Sequence, residues 1–405
     1  MFNNSGKVTA KSRNQKSKNI ALAMAFPLAL LAPTMSMAAI AAKCAPAPAT
    51  TLVVNVKDTG AKGDGIANDT VAIQAAIDRV APTGGTVLVP NGVYMVDGIR
   101  YLRLKSNITF KMDKGTLLKV IPNSSNSYST LRLQDVSNVN IIGGTLQGER
   151  DQHTGTTGEW GMGVDIRNSK NIVIEDVTSR DMWGDGFYVT GAASANIVAC
   201  NVTADNNRRQ GMSITSVDGA VIKNSVFKNT NGTLPSAGID IEPNPNDRIN
   251  NVQILNSVFN NNAGAGILST FYNSTDHVGA ITTNLVIANN SVYNNGTVGK
   301  YSAGIQLSSQ ISPKVMNNIV VNSTHDGISL THGTTGSLLS GNTVIGSGYG
   351  NKTDKNIGNG ILFYLAPGNT ATKNIVTGNI NPLTGKIMNI VDAARNNTVT
   401  QNITD

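Results

Sequence analysis

Eight times along this chain a glycine opens a short run in which apolar and polar residues alternate. The phrases are GVDI at Gly163, GFYV at Gly186, GMSI at Gly211, GIDI at Gly238, GILS at Gly266, GIQL at Gly304, GISL at Gly327 and GILF at Gly360. Alternation with period 2 marks short strands with one buried face. Val164, Phe187, Met212, Ile239, Ile267, Ile305, Ile328 and Ile361 are then the inward residues. The phrases recur at intervals of 23 to 38 residues, and the variation falls in connections rich in Asn, Gly, Ser and Thr. Irregular repeats of this length are the signature of a solenoid.

A second phrase runs between the first: NIVIEDV, NIVACNV, AVIKNSV, VQILNSV and LVIANNSV. Asn201, Asn224, Asn256, Asn290, Asn318, Asn342 and Asn379 recur at the turn after it, where stacked asparagines can satisfy turn backbone groups and one another. No helical pattern separates the strands. The expectation is an all-β, single-stranded right-handed parallel β-helix rather than leucine-rich repeats or a propeller. About a dozen coils at ~4.8 Å each would span roughly 60 Å. The entry segment NDTVAIQAAIDRVAP has apolar residues at helical spacing, capping residues Asn68 and Asp69, and Pro82 as a stop. A short helix here would cover the open N-terminal end of the solenoid. GGTVLVPNGVYMV reads as the first strand.

The formal charge of +7 invites a nucleic-acid reading. However, residues 1–38 hold Lys7, Lys11, Arg13, Lys16 and Lys18 and no acidic residue, and the remainder carries 27 basic against 25 acidic groups, a net of +2. That reading loses its support. The same 38 residues order a basic stretch, the apolar run IALAMAFPLALLAP and small residues, the pattern of a cleavable secretory signal. The division expected is a signal peptide over 1–38, a flexible tail over 39–52 and the β-helix with its N-terminal cap over 53–405. The protein is expected to be secreted or periplasmic. Cys44 and Cys200 either pair in an oxidising compartment or stay free, and the four histidines form no zinc-spaced cluster with them.

The stretch VNVKDTGAKGDGIANDTVAIQAAIDRV, followed by GGTVLVPNGVY, resembles the entry module of pectate-lyase-like β-helix proteins, a group that includes polygalacturonases and alginate epimerases. GGTLQGER, from Gly143 to Arg150, is similar to the polygalacturonase phrase that precedes the catalytic coils. The resemblance implies the fold over most of the chain, but these scaffolds host hydrolases, lyases, epimerases and phage tailspikes. Asp185 in GDG matches the first aspartate of polygalacturonases, whereas Arg208 and Arg209 stand where their aspartate pair belongs. Inverting hydrolysis needs two carboxyl groups across the bond. After Phe187 come Tyr188, Val189, Thr190 and Gly191, not the Asp-Pro-His-Glu of alginate epimerases. The Arg-Arg and Asp-x-Glu-Pro coils look like secreted biofilm-matrix lyases of the RbmB type found in Vibrio. That implies cleavage of a uronate-containing exopolysaccharide by β-elimination.

Register supplies a site. If Val164, Phe187, Met212 and Ile239 point inward, Asp165, Tyr188, Ser213 and Asp240 share an outward column, and Arg167, Thr190, Thr215 and Glu242 the next. STLRLQD places Arg132 below Asp165, and Arg208 and Arg209 flank the column. β-Elimination removes the proton next to a carboxylate, so a cation must neutralise that group and a base must reach C5. The expected catalytic residues are Tyr188, Arg208, Arg209, Asp240 and Glu242, with Asp165, Arg167, Trp183, Asp185 and Arg132 binding substrate. An arginine clamps the carboxylate, and Tyr188, tuned by a neighbouring arginine, serves as base or acid. Asp240 and Glu242 either hold Ca²⁺ or orient an arginine. Each residue also has a plainer reading. Tyr188 is a surface aromatic, Arg208 and Arg209 pair with Asp240 and Glu242, Asp165 and Arg167 pair structurally, and Trp183 caps a turn. His153, His325 and His332 fall outside the column.

The expected partner is an acidic polysaccharide, with neither nucleic acid nor, after leader removal, membrane, and the chain is expected to act as a monomer. A hydrolase of the polygalacturonase class and a non-catalytic carbohydrate-binding rod are the other functional classes. N-terminal sequencing of exported protein should find a mature chain that begins close to Ala39; soluble cytoplasmic protein that retains Met1 would refute the leader.

Overall fold

Each glycine-led phrase forms a strand, and successive phrases lie side by side in parallel. A computed structural model describes residues 44–46, 51–244, 247–271, 281–297, 302–350 and 357–405. The expected leader and its cleavage site lie outside the described residues. Among the described residues the strands form two 13-stranded sheets and one of 11 strands, all parallel, with a small two-stranded sheet at the side. Residues Lys43–Asp405 make one compact unit. Among the described residues no helix is long and apolar enough to cross a membrane.

A coil contains three strands, where the sequence phrases suggested two. The glycine-led phrase lies in the 11-stranded sheet, as in Phe187–Thr190, Met212–Ile214 and Ile239–Ile241. The second phrase supplies Lys170–Glu175, Ala195–Cys200 and Val217–Lys223. A three-residue strand follows in each coil: Thr178–Arg180, Thr203–Asp205, Val226–Lys228. With only its central residue pointing inward, this third strand is too short to show an alternation.

The inward column runs as expected. Val164, Phe187, Met212, Ile239 and Ile267 pair in succession, and Ile305, Ile328 and Ile361 continue it. All are buried in one core, each contributing about 1.5–3 kcal/mol by leaving water. The leading glycines have a steric cause. A Cβ added to Gly163, Gly186, Gly211 or Gly238 would lie 2.5, 2.7, 2.4 or 2.6 Å from the carbonyl oxygen of the leading glycine one coil on.

The asparagines divide into three sets instead of one. Asn201, Asn224 and Asn256 are exposed and take the left-handed conformation at the turn, with φ of 54°, 53° and 50°. Asn290, Asn318 and Asn342 sit one position later in the turn and are buried. Their side-chain amides donate from coil to coil, Asn290 to Asn318 at 3.0 Å, Asn318 to Asn342 at 3.0 Å and Asn342 to Asn374 at 2.9 Å. Asn379 follows the third strand and accepts from the Ser347 amide at 2.9 Å. Buried amides in a ladder satisfy one another, which removes the penalty of desolvating each alone.

The helix Thr70–Val80 buries Ile73, Ala76, Ile77 and Val80 within the same core. Asn68 caps it by accepting from the Thr70 amide at 3.1 Å. Asp69, expected to cap as well, instead accepts from the Lys62 and Gly63 amides at 2.5 and 2.9 Å. Within the expected tail, Cys44 is disulfide-bonded to Cys200, and Glu175 accepts from the Cys44 and Ala45 amides at 3.0 and 2.8 Å.

Gly327 tests the steric argument away from the candidate site. Its added Cβ would meet Val344 Cγ1 at 2.2 Å and the Gly360 carbonyl at 2.6 Å. Gly327→Ala should destabilise by about 1–3 kcal/mol, the usual cost of overpacking, measured as a lower denaturation midpoint with unchanged far-ultraviolet dichroism.

Candidate active site

The 11-stranded sheet presents the columns in the expected register. Arg132 pairs with Asp165, Asp165 with Tyr188, Tyr188 with Ser213 and Ser213 with Asp240. Arg167 pairs with Thr190 in the next column, where the Thr215 hydroxyl donates to Thr190 at 2.6 Å. The carboxylates are not open to solvent as an outward column would suggest. Asp165 and Asp185 are 0% exposed and Asp240 is 2% exposed, whereas Glu242 is exposed and Tyr188 half-buried. Their neighbours cover them.

Asp165 is held between two arginines. Arg132 Nε donates to Oδ2 at 3.0 Å, Arg167 Nε to Oδ1 at 2.9 Å and the Ser129 hydroxyl to Oδ2 at 2.8 Å. The plain structural pairing of Asp165 and Arg167 is therefore present, widened to a bridge. The Arg167 guanidinium also lies 5.6 Å from the centre of the Tyr188 ring.

Arg208 and Arg209 part company. Arg208 donates to the Gly158 and Trp183 carbonyls at 2.9 and 3.2 Å and stacks on the Trp183 ring at 3.8 Å. His153 stacks on the Trp183 ring at 3.9 Å and shares its Nδ1 with buried Glu149 at 3.0 Å. Arg208 and His153 both pack on the Trp183 ring, which ties it to the segment 148–159. His153 takes part in that segment although it lies outside the columns.

Arg209 faces the carboxylates, but not with the partners expected. It donates to Asp185 Oδ2 at 3.0 Å and lies 3.6 Å from Glu159 Oε2; the carboxylates of Asp240 and Glu242 raise its pKa only through the field, after Asp185. Ser213 donates to Asp185 Oδ2 at 2.7 Å. Burial nevertheless pushes the Asp185 carboxyl up to about 6, against the lowering pull of Arg209 and Ser213. Asp240 accepts from Gln210 Nε2 at 2.9 Å, while its Oδ1 is buried without a hydrogen-bond partner among the described residues; Arg209 Nε is buried with only the longer ion pair to Glu159. Burial first, then the charge of Glu242, holds Asp240 well above the carboxylate range. That shift favours its protonated form.

Gln210, Glu159 and the Glu149–His153 pair were missed by sequence reasoning. The Gly186 amide donates to the Gln210 carbonyl at 3.0 Å, so Gln210 stacks on Asp185, a phase readable from the alternation if carried one residue upstream of Gly211. Glu149 lies in the phrase GGTLQGER, which the sequence singled out without giving that residue a role, and no sequence signal marks Glu159, whose segment does not repeat. The donor set does not suit Ca²⁺. That cation takes six to eight oxygens, whereas Gln210 turns an amide N–H towards Asp240 and the Arg209 guanidinium adds positive charge nearby. Among the described residues no group of three or more His, Cys, Asp or Glu forms a metal site.

The Asp240 shift fixes a sign. A carboxyl whose folded pKa is raised binds its proton more tightly in the native state, so its contribution to stability is present in acid and is lost as pH rises from 3.8 through the folded pKa. Asp240→Asn, close in shape to the neutral acid, should match the wild type in thermal stability near pH 4 and exceed it increasingly at higher pH. Melting curves across pH check this; a wild type that gains on the variant as pH rises would refute it.

The family model for rhamnogalacturonase A/epimerase, pectate lyase-like, matches residues 53–233. The chain is 30% identical over 248 residues to Bacillus subtilis protein YclG, covering 54% of this chain and 42% of that protein. It is 31% identical over 230 residues to the mannuronan C5-epimerase AlgE5 of Azotobacter vinelandii, covering 53% of this chain and 22% of that one. The chain thus spans less than half the length of these curated relatives. Among solved structures, the A-module of Azotobacter vinelandii mannuronan C-5 epimerase AlgE6 superposes with a TM-score of 0.65 at 22% identity, over 87% of this chain and 99% of that one. A Thermotoga maritima exopolygalacturonase superposes with a TM-score of 0.64 at 15% identity, over 89% and 92%. These structural likenesses carry the fold, a right-handed parallel β-helix, and residues 53–233 are similar to the pectate-lyase-like family model.

Proposed function

We propose that this protein acts on an acidic, uronate-containing polysaccharide and cleaves it by β-elimination. The observation that carries the reading is the buried Asp240, its pKa raised and its Oδ1 without a hydrogen-bond partner among the described residues, in one column with Tyr188 and within the field of Arg209. A buried polar atom without a partner costs stability unless a ligand completes it. A neutral carboxyl donates a proton, an arginine stabilises an anion, and a phenol exchanges a proton. The matched stretch of sequence supports the same chemistry. Inverting C5 of mannuronan begins with loss of the proton beside the carboxylate, and β-elimination shares that step.

In this reading the phenolate form of Tyr188 takes the C5 proton and becomes the phenol, and the charge that builds on the substrate carboxylate is met by Arg209. The bond from C4 to its glycosidic oxygen breaks as the C4–C5 double bond forms, and Asp240 gives its proton to the departing oxygen. Glu242 lies at the rim and, after burial, adds to the upward shift of Asp240 through its charge. Arg208, spent on Trp183 and two carbonyls, holds the wall. The Cys44–Cys200 bridge favours an oxidising compartment, which supports export and a matrix polysaccharide as substrate.

Hydrolysis is the second reading, favoured by Asp185 and Asp240. Both buried carboxyls have raised pKa values, and hydrolysis needs a pair of carboxyl groups, one as acid and one as base. Digestion of polyuronates, the producing cell's own matrix included, separates the readings. β-Elimination yields an ultraviolet-absorbing unsaturated uronate, hydrolysis only saturated ends, and a binding rod no new ends. Tyr188→Phe, Arg209→Ala and Asp240→Asn should each lower the absorbance rate by about 10²–10⁴. Full activity in all three would place the chemistry elsewhere.

A further inference from the structure

The column that ends in Asp240 begins with cations. Arg103 pairs with Arg132, Arg132 with Asp165 and Asp165 with Tyr188, so the basic end lies two to three coils, ~10–14 Å, on the N-terminal side of Tyr188. Both guanidiniums pack on one ring, Arg132 at 4.2 Å and Arg103 at 4.6 Å from the centre of Tyr101. Tyr101 itself is held at φ 40°, in the left-handed region that a bulky side chain rarely adopts. Strain of this kind persists only where the surroundings over-determine it, and it gathers at binding sites. Burial would raise the Tyr101 phenol, but Arg103 and Arg132 outweigh it and leave the phenol below its ordinary pKa.

Beside this stack is a cavity of 280 Å³, lined by Tyr101, Arg103, Lys105, Arg132, Gln134 and Asp135 among others. Asp165 offers one negative charge to both Arg132 and Arg167, and among the described residues Arg103 has no carboxylate within ion-pair distance. Arg103, Lys105, Arg132 and Arg167 therefore outnumber Asp135 and Asp165 by two charges.

We propose that Arg103, Lys105 and Arg132, arrayed around Tyr101, form an anion subsite that takes a uronate carboxylate two to three sugars from the reacting bond. This rests on the reading of the substrate as a polyuronate. One pyranose ring and one coil, ~4.8 Å, are of similar length, so successive carboxylates of an extended chain can meet successive coils. The acidic chain then lies over the N-terminal coils, and its reacting end reaches Tyr188 and Asp240. Guanidinium groups suit the planar carboxylate, and the exposed Arg103 and Lys105 draw the polyanion in by long-range attraction.

Calorimetric titration with a hexauronate, a diuronate too short to reach the subsite and a neutral hexasaccharide tests the proposal without relying on turnover. Arg103→Gln and, as a second surface variant, Lys105→Gln should each weaken hexauronate binding by about tenfold. Diuronate binding and the melting temperature should stay unchanged, and the wild-type preference for the hexauronate should shrink as salt is raised. Hexauronate binding that is the same in wild type and both folded variants overturns the subsite and leaves the proposed reaction standing. Hexauronate binding that is sensitive to Arg103, with no product from any uronate polymer, supports the subsite and overturns the reaction. A wild type that prefers the neutral hexasaccharide, or binds no hexauronate, overturns both.

Discussion

The whole arrangement depends on how closely one coil approaches the next. At the head of each phrase the backbone leaves no room for a Cβ, because the next coil's carbonyl oxygen already occupies that space. Consecutive glycines therefore lock neighbouring coils at one height and one phase. Since side chains alternate with period 2, a slip of a single residue would exchange the core face for the outer face along the strand. The glycine column prevents that slip, and both the apolar stack and the outer columns follow from it.

Electrostatics adds a second layer to this scaffold. In register, Arg132, Asp165, Tyr188, Ser213 and Asp240 become neighbours although they are far apart in sequence. Asp165 is compensated by two arginines, whereas Asp240 has an amide donor and no direct cation. The same residue type is thereby an ion-pair hub in one coil and a carboxyl with a raised pKa three coils on. Burial alone does not decide this, since both are buried; the donors brought by adjacent coils do.

The segment 148–159 completes the site from outside the repeat. Its Glu149 binds His153, His153 and Arg208 sandwich Trp183, and Glu159 meets Arg209. These contacts explain why two adjacent arginines have different tasks. One is fixed by an indole and two carbonyls, and the other is fixed by carboxylates. A cation over an indole is worth more when water is excluded, and His153 covers the opposite side of that ring.

Local pattern alone determined the coil phase in this protein. Glycine and alternation named the inward residues from Val164 to Ile361, and the same phase put Asp165, Tyr188, Ser213 and Asp240 in one column. Turn chemistry at Asn201, Asn224 and Asn256 was also legible, because left-handed backbone favours asparagine. The third strand was not, since three residues are too few to display a period. Nor was the burial of Asp165, Asp185 and Asp240, which depends on covering groups from other coils. The pairing of Arg209 with Asp185 instead of Asp240, the packing of Arg208 and His153 on Trp183 and the raised pKa of Asp240 were decided by tertiary structure. Each is set by distances and desolvation between segments that the sequence holds tens of residues apart.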